Sequence, residues 1–426
     1  MAESKTTRIR WILIGWIFVL SAVGYLDRVN ISIAGSAIMR DFHLSKVQFG
    51  VIQSFFVGAY ALFQAPAGRL ADRMGPRKIL ALAVIWWGIF TSLITVVPVF
   101  AAAFVVIIAI RFGLGVGEAV MYPASNKIVA AWIPSHERGL ANGLIFAGVG
   151  FGAGVTPPLI TFIMARYGWH ASFWCSSLIG LAAGAIWYAM GRDTPREHPW
   201  VGTREVELIE AGLPPPETAP RERLSWGEIL SNKDVVIVTL SYFTYGYAAF
   251  IFFGWFFIYL NDVRGVNLKQ SALLSMLPFI AMAAGSSVGG WLSDVITKRQ
   301  GKRAGRCLLA AVAIGLSAIL IAMGTGIADT NTAVIYLAAG AGALYLSQSS
   351  FWSVSADIGK KSAGSVSGVM NMGAQTGSAI TATLTPYIGT HFGWNASFLV
   401  AAALCACGAV AWLFVNPIES QSQMRS

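Results

Sequence analysis

Residues 101–131 read AAAFVVIIAIRFGLGVGEAVMYPASNKIVAA, and this stretch decides what kind of chain it belongs to. Its apolar run is long enough to cross a bilayer as a helix, yet Arg111, Glu118 and Lys127 lie within it. A charge near the bilayer centre costs about 3 kcal/mol on insertion scales, so intramembrane charges face a cavity or a partner rather than lipid. Arg111 and Glu118 stand on one helix face, about 10 Å apart along its axis. They cannot neutralise each other directly. Each has to find a counter-charge, a proton or a ligand elsewhere.

The rest of the chain is built of the same material. Its 426 residues are 56% hydrophobic and 12% charged, with mean hydropathy +0.63. Soluble domains carry roughly 25% charged residues, so lipid solvates most of this sequence. The 45 glycines suit the close helix approach of membrane bundles. Cys175, Cys307, Cys405 and Cys407 sit in apolar runs without His or Cys at metal-ligand spacing, and read as small buried residues. Lys5, Arg8 and Arg10 precede the apolar run 11–24 as in a signal peptide. That run has no clear A-x-A site and is followed by many more, so it reads as a retained first helix.

Runs of spanning length fall near 11–34, 47–71, 78–97, 101–130, 139–165 and 170–190, then near 235–260, 270–296, 304–326, 332–356, 363–388 and 394–415. These are twelve spans in two sets of six. A cytoplasmic N-terminus collects Arg69, Arg73, Arg77, Lys78, Lys298, Arg299, Lys302, Arg303 and Arg306 on the cytoplasmic side and leaves Arg40, Lys46, Arg166, Arg264 and Lys269 opposite. The positive-inside rule therefore predicts a multi-pass protein of the cell (inner) membrane with both termini cytoplasmic. The net charge of +10 is a topology signal and gives nucleic-acid binding no support. Residues 192–234 are charged and carry Pro195, Pro199, Pro214, Pro215, Pro216 and Pro220. They read as a cytoplasmic linker with short surface helices, started by capping boxes at Thr194 and Ser225. It divides a bundle over 1–191 from a second over 235–426.

The two halves repeat. GWHASF at 168–173 returns as GWNASF at 393–398, an offset of 225, and Gly115, Gly117, Gly139 and Gly143 match Gly340, Gly342, Gly364 and Gly368 at the same offset. GRLADR at 68–73 returns loosely as GWLSDV at 290–295. A tandem parallel repeat places a ligand between the halves, near mid-membrane. Asn371 occupies the position of Phe146 under that offset, which gives the asymmetry a site needs.

Gly68-Arg-Leu-Ala-Asp72-Arg73-Met-Gly-Pro-Arg77-Lys78 resembles the signature loop of the major facilitator superfamily. The resemblance implies an all-α polytopic membrane protein: twelve transmembrane helices in two six-helix bundles, with a loop that gates conformational change through Gly68, Asp72, Arg73 and Arg77. Asp72 would cap a helix end, while Arg73 and Arg77 would bind carbonyls or carboxylates of the neighbouring bundle. Within that superfamily, Tyr25-Leu-Asp27-Arg28-Val-Asn30 and the run from Arg111 to Pro123 are similar to the first- and fourth-helix motifs of the anion:cation symporter family. The run 132–143 and Phe351-Trp352-Ser353 resemble it too. Bacterial members carry sugar acids such as galactonate, glucarate and hexuronates, or other organic anions, usually with protons. Gly148, Gly150, Gly152 and Gly154 followed by Pro157-Pro158 depart from the drug-antiporter spacing and read as close packing plus a kink.

The residues point the same way. Among the acids only Asp27 and Glu118 lie well inside spans, and an intramembrane carboxyl without a permanent partner can take a proton near neutrality. Adjacent residues on a helix point about 100° apart, so Asp27 and Arg28 need not pair. The expected arrangement sets Arg111 against Asp27 across helices one and four and leaves Arg28 for a carboxylate. Asp27, Glu118 and Arg111 then serve proton coupling. Tyr25, Tyr60, Tyr122, Tyr242 and Tyr245 offer hydroxyls to a polyol, and Gln348, Trp352, Ser353, Asn371 and Gln375 read the rest. The charges could instead pin the bundle statically, the tyrosines anchor at the interface, and the polar groups glue helices together.

The expectation is a proton-coupled symporter, working as a monomer, that imports a small organic anion by alternating access. The anion is a sugar acid (aldonate, aldarate or hexuronate); no cofactor or metal is implied. The alternatives are another carboxylate with different coupling, or a permease-like sensor that binds without transporting. An enzyme fits poorly, because His43, His136, His170, His198 and His391 fall in loops or at helix ends and pair with no nucleophile.

Overall fold

A computed structural model describes residues 7–100, 102–134, 138–212, 225–359 and 363–416; among these the regular structure is all helical. The first half comprises α1 (Ile9–Asp41), α2 (Lys46–Met74), α3 (Pro76–Leu93), α4 (Ala103–Glu118), α5 (Met121–Trp132) and α6 (Arg138–Met190). Two short helices follow, α7 (Thr203–Gly212) and α8 (Trp226–Ser231). The second half holds α9 (Lys233–Phe250), α10 (Phe256–Ile258), α11 (Leu268–Gln300), α12 (Leu309–Gly326), α13 (Thr330–Leu346), α14 (Gln348–Gly359), α15 (Ala363–Phe392) and α16 (Trp394–Trp412). π-helical turns at Ile251–Trp255 and Tyr259–Val263 continue α9 and α10 as one span.

Among the described residues, nine segments are long and apolar enough to cross a membrane. The longest, Gly143–Met190, has 48 residues and crosses twice, because Gly168 turns the chain with φ 78°. The pair α13–α14 and helix α15 complete the twelve. They are less lipid-like because α13 stops after 17 residues and α15 carries Asn371, Gln375 and several hydroxyls. The repeat seen in the sequence is structural: Gly168 and Gly393 both adopt positive φ, 78° and 88°, which glycine alone adopts without steric cost. Trp169 and Trp394 follow each turn and are buried.

The fourth span breaks at Ala119–Val120. Pro123 explains it, since a proline ring collides with the carbonyl four residues earlier. Its counterpart in the second half breaks at Ser347, between α13 and α14. Both breaks lie at the level where the halves face each other.

The halves meet along α2 with α15 and α6 with α11. At Gly50 a side chain would strike the Ala382 carbonyl, so glycine is what lets α2 and α15 approach this closely. On the side away from the termini, Ser54 donates to the Ala379 carbonyl at 2.5 Å and Ser36 donates to Asp262 at 3.0 Å. Lys46 reaches Asp262 at 3.8 Å. These contacts tie the two halves together on this side. On the terminal side, Glu205 of α7 is buried and caps α1, accepting from the Ile9 and Arg10 amides and from Thr7 Oγ1. The Ser225 capping box forms with Glu228. At Thr194 the expectation fails: its hydroxyl bonds Glu197 Oε1, and only a one-turn 3-10 helix, Pro195–Glu197, results.

Candidate functional site

α1 and α4 bring the intramembrane charges together. Arg28 Nε donates to Glu118 Oε2 at 2.7 Å, with side-chain exposures of 14% and 2%. The guanidinium lies 4.3 Å from the Tyr60 ring centroid and 4.9 Å from that of Tyr25. Aromatic faces attract cations most strongly when water is excluded, so these rings help to fix the arginine beside its carboxylate. Phe56 lies between the two arginines, 5.5 Å from Arg28 and 4.4 Å from Arg111.

This geometry corrects the pairing drawn from the sequence. Arg28 is not free, and Arg111 does not bond Asp27: both Asp27 carboxyl oxygens and Arg111 Nε are buried without a hydrogen-bond partner among the described residues. Helical azimuth is the reason. Residue 28 faces α4 at the depth of Glu118, and residue 27 turns elsewhere. Glu118 finds its counter-charge across helices, in Arg28.

A cavity between the halves is lined by Arg28 and Arg111 and by all five expected tyrosines, Tyr25, Tyr60, Tyr122, Tyr242 and Tyr245. Gln348, Trp352, Asn371 and Gln375 line it from the second half. Tyr242 accepts from Gln348 Nε2 at 3.0 Å, and Asn371 Nδ2 donates to Gln64 Oε1 at 2.7 Å, linking α15 to α2. Tyr122 stacks on Phe146 with centroids 5.2 Å apart. Ser353 is misplaced by the sequence reading. It is off the cavity wall, with its carbonyl facing Arg306 at 3.4 Å, because α14 turns about 100° between Trp352 and Ser353. Asp27 and Glu118 sit behind the wall, not on it. Sequence reasoning missed Gln53 and Tyr345, which also line the cavity; polar residues inside otherwise apolar spans were the available signal.

Of the signature loop, the Gly68 and Asp72 side chains lie outside the described residues. Arg73 is exposed. Arg77 donates through Nε to the Tyr188 carbonyl at 3.0 Å, and its amide donates to Asp193 at 2.8 Å. Lys127 donates to the Ala71 carbonyl at 3.1 Å. These contacts stay within the first half, where the sequence reading had the loop's arginines gripping the other bundle.

The sequence profile described as Major Facilitator Superfamily matches residues 17–382 and 358–424. The chain belongs to this superfamily. Its members are transporters, so this is a membrane transporter and not an enzyme. It is 32% identical over 411 residues to the probable sulfoacetate transporter of Cupriavidus necator, covering 96% of this chain and 94% of that one. It is 31% identical over 409 residues to the hexuronate transporter of Bacillus subtilis, covering 95% and 94%. With the probable galactarate/D-glucarate transporter of Escherichia coli it shares 29% identity over 437 residues, covering 97% and 96%. A solved bacterial homologue of the human lysosomal transporter Spinster, inward-facing and unoccupied, superposes with TM-score 0.77 at 18% identity, covering 99% of this chain and 98% of that chain. That likeness shows the fold. In this superfamily fold Arg28 lines the cavity between the two bundles, and Glu118 holds it from behind the wall.

Proposed function

We propose that this transporter is a proton-coupled symporter of a small organic anion, a sugar acid with a carboxylate held by Arg28. One observation carries the reading: the cavity's most accessible cation is already occupied by a buried carboxylate, Glu118, at 2.7 Å. A substrate carboxylate wanting Arg28 has to displace Glu118. A proton on Glu118 removes the competitor. The substrate then takes over the charge-assisted bonds, which a guanidinium fork supplies bidentately. Asp27, without a hydrogen-bond partner among the described residues, is the second proton carrier, and Arg111 completes the coupling set. The four charges sum to zero with both acids ionised and to +2 with both protonated, so an anion and protons enter together. Relatives that carry hexuronate, galactarate/glucarate and sulfoacetate support the anionic substrate.

In this reading, residues 1–191 and 235–426 are the rocking bundles, 192–234 is the cytoplasmic linker, and both termini face the cytoplasm of an inner membrane. The loop with Gly68, Asp72, Arg73 and Arg77 gates the cytoplasmic side, and one chain is the working unit. The test is uptake of galactonate, glucuronate and galactarate into proteoliposomes under an imposed pH gradient. Accumulation that follows the pH gradient and dissipates it is expected. Uptake that ignores pH and responds to sodium refutes proton coupling; binding without uptake would make the chain a sensor.

A further inference from the structure

The two ends of the cavity differ in charge, and on the organic-anion reading this selects among the acids. Both guanidiniums belong to the first half. Phe56 separates them, and Arg111 is only 3% exposed, so Arg28 is the cation offered to a ligand. The second half contributes Gln348, Asn371, Gln375, Ser286 and Ser378 together with tyrosines and other rings. Among the described residues that wall carries no cation. We propose that the substrate is a monoanion with a neutral, hydroxyl-bearing far end: an aldonate or hexuronate, and not an aldarate charged at both ends.

Gln348 carries the argument furthest. Its Nε2 spends one of two N–H donors on Tyr242 at 3.0 Å, while Oε1 is buried and accepts nothing among the described residues. A substrate hydroxyl can donate to that oxygen. A carboxylate cannot, because it has only acceptors and would meet an amide oxygen there. Asn371 likewise spends one of its two N–H donors on Gln64, and neither amide carries a charge. A second carboxylate delivered to this wall is therefore desolvated without a counter-charge, which is costly. A terminal CH₂OH or ring hydroxyl is satisfied there.

The test uses pairs that differ only at the far end: galactonate against galactarate, and gluconate against glucarate. Binding to the full chain in nanodiscs is measured by calorimetry at a fixed acidic pH. Each monoanion is expected to bind roughly tenfold or more tightly than its dianion. Gln375→Arg, which sets a cation in the second half, is expected to narrow or reverse that ratio. Dianions that bind as tightly as their monoanions in the wild type overturn the inference while leaving the organic-anion reading intact. Failure of all four acids to bind overturns both. Preference for monoanions that Gln375→Arg leaves unchanged also counts against it, since the discrimination would then lie elsewhere than this wall.

Discussion

Replacing Glu118 with Gln tests the central competition. The amide keeps the shape of the side chain and can still accept from Arg28 Nε, now 2.7 Å from Glu118 Oε2, but it carries no charge. The remaining bond still involves the charged guanidinium, so what is lost is the attraction between two ions, on the order of 1–1.5 kcal/mol. An incoming carboxylate should then bind the variant roughly tenfold more tightly than it binds wild type with Glu118 ionised. Wild-type affinity should rise as pH falls, because a proton on Glu118 removes the competitor for Arg28. The variant should lose that slope. In proteoliposomes it should retain counterflow exchange and lose accumulation driven by a pH gradient. If Glu118→Gln binds the anion more weakly than wild type, or keeps the wild-type pH slope, Glu118 is a ligand or a strut and not the competitor.

Arg28→Lys keeps the charge but not the fork or the stacking on Tyr60 and Tyr25, and should weaken binding by about 1–3 kcal/mol; Arg28→Ala should abolish uptake while the protein still reaches the membrane. Arg111→Lys should alter the pH dependence of uptake more than the affinity, measured as transport rate across a pH series. Glu205→Ala removes the buried acceptor of the Ile9 and Arg10 amides and should cost about 3–5 kcal/mol, read as a lowered melting temperature in detergent. Burial holds His198 below its ordinary pKa, and its Nδ1 accepts from the Trp200 amide at 3.2 Å while Nε2 meets the Met190 carbonyl at 2.9 Å. Because the folded value lies below the unfolded one, stability rises with pH through that window and falls below about pH 6.5. His198→Gln should flatten the acid limb of a melting-temperature series.

Much of the site was legible because membrane chains advertise it. In a span whose default content is apolar, each tyrosine, amide or arginine is conspicuous, and ten of the eleven residues assigned to substrate binding, all but Ser353, line the cavity. Thr194 was misread for a local reason. Its capping pattern is real, yet Pro195 and the next residues make one 3-10 turn, because the chain must bring His198 back onto Met190.

The sequence by itself determined the solvent, the number of crossings and the duplication. These depend on composition and spacing along one dimension: apolar length sets the spans, and GWHASF with GWNASF sets the repeat, down to positive φ at Gly168 and Gly393. Only the tertiary structure decided which arginine meets which acid. Asp27 and Arg28 are neighbours in the chain, but α1 turns about 100° between them. The rotation and depth of α1 against α4, fixed by packing across the whole bundle, bring residue 28 and not residue 27 to the partner. On the proposed mechanism, that choice of pair makes Glu118 the group with which a bound anion has to compete.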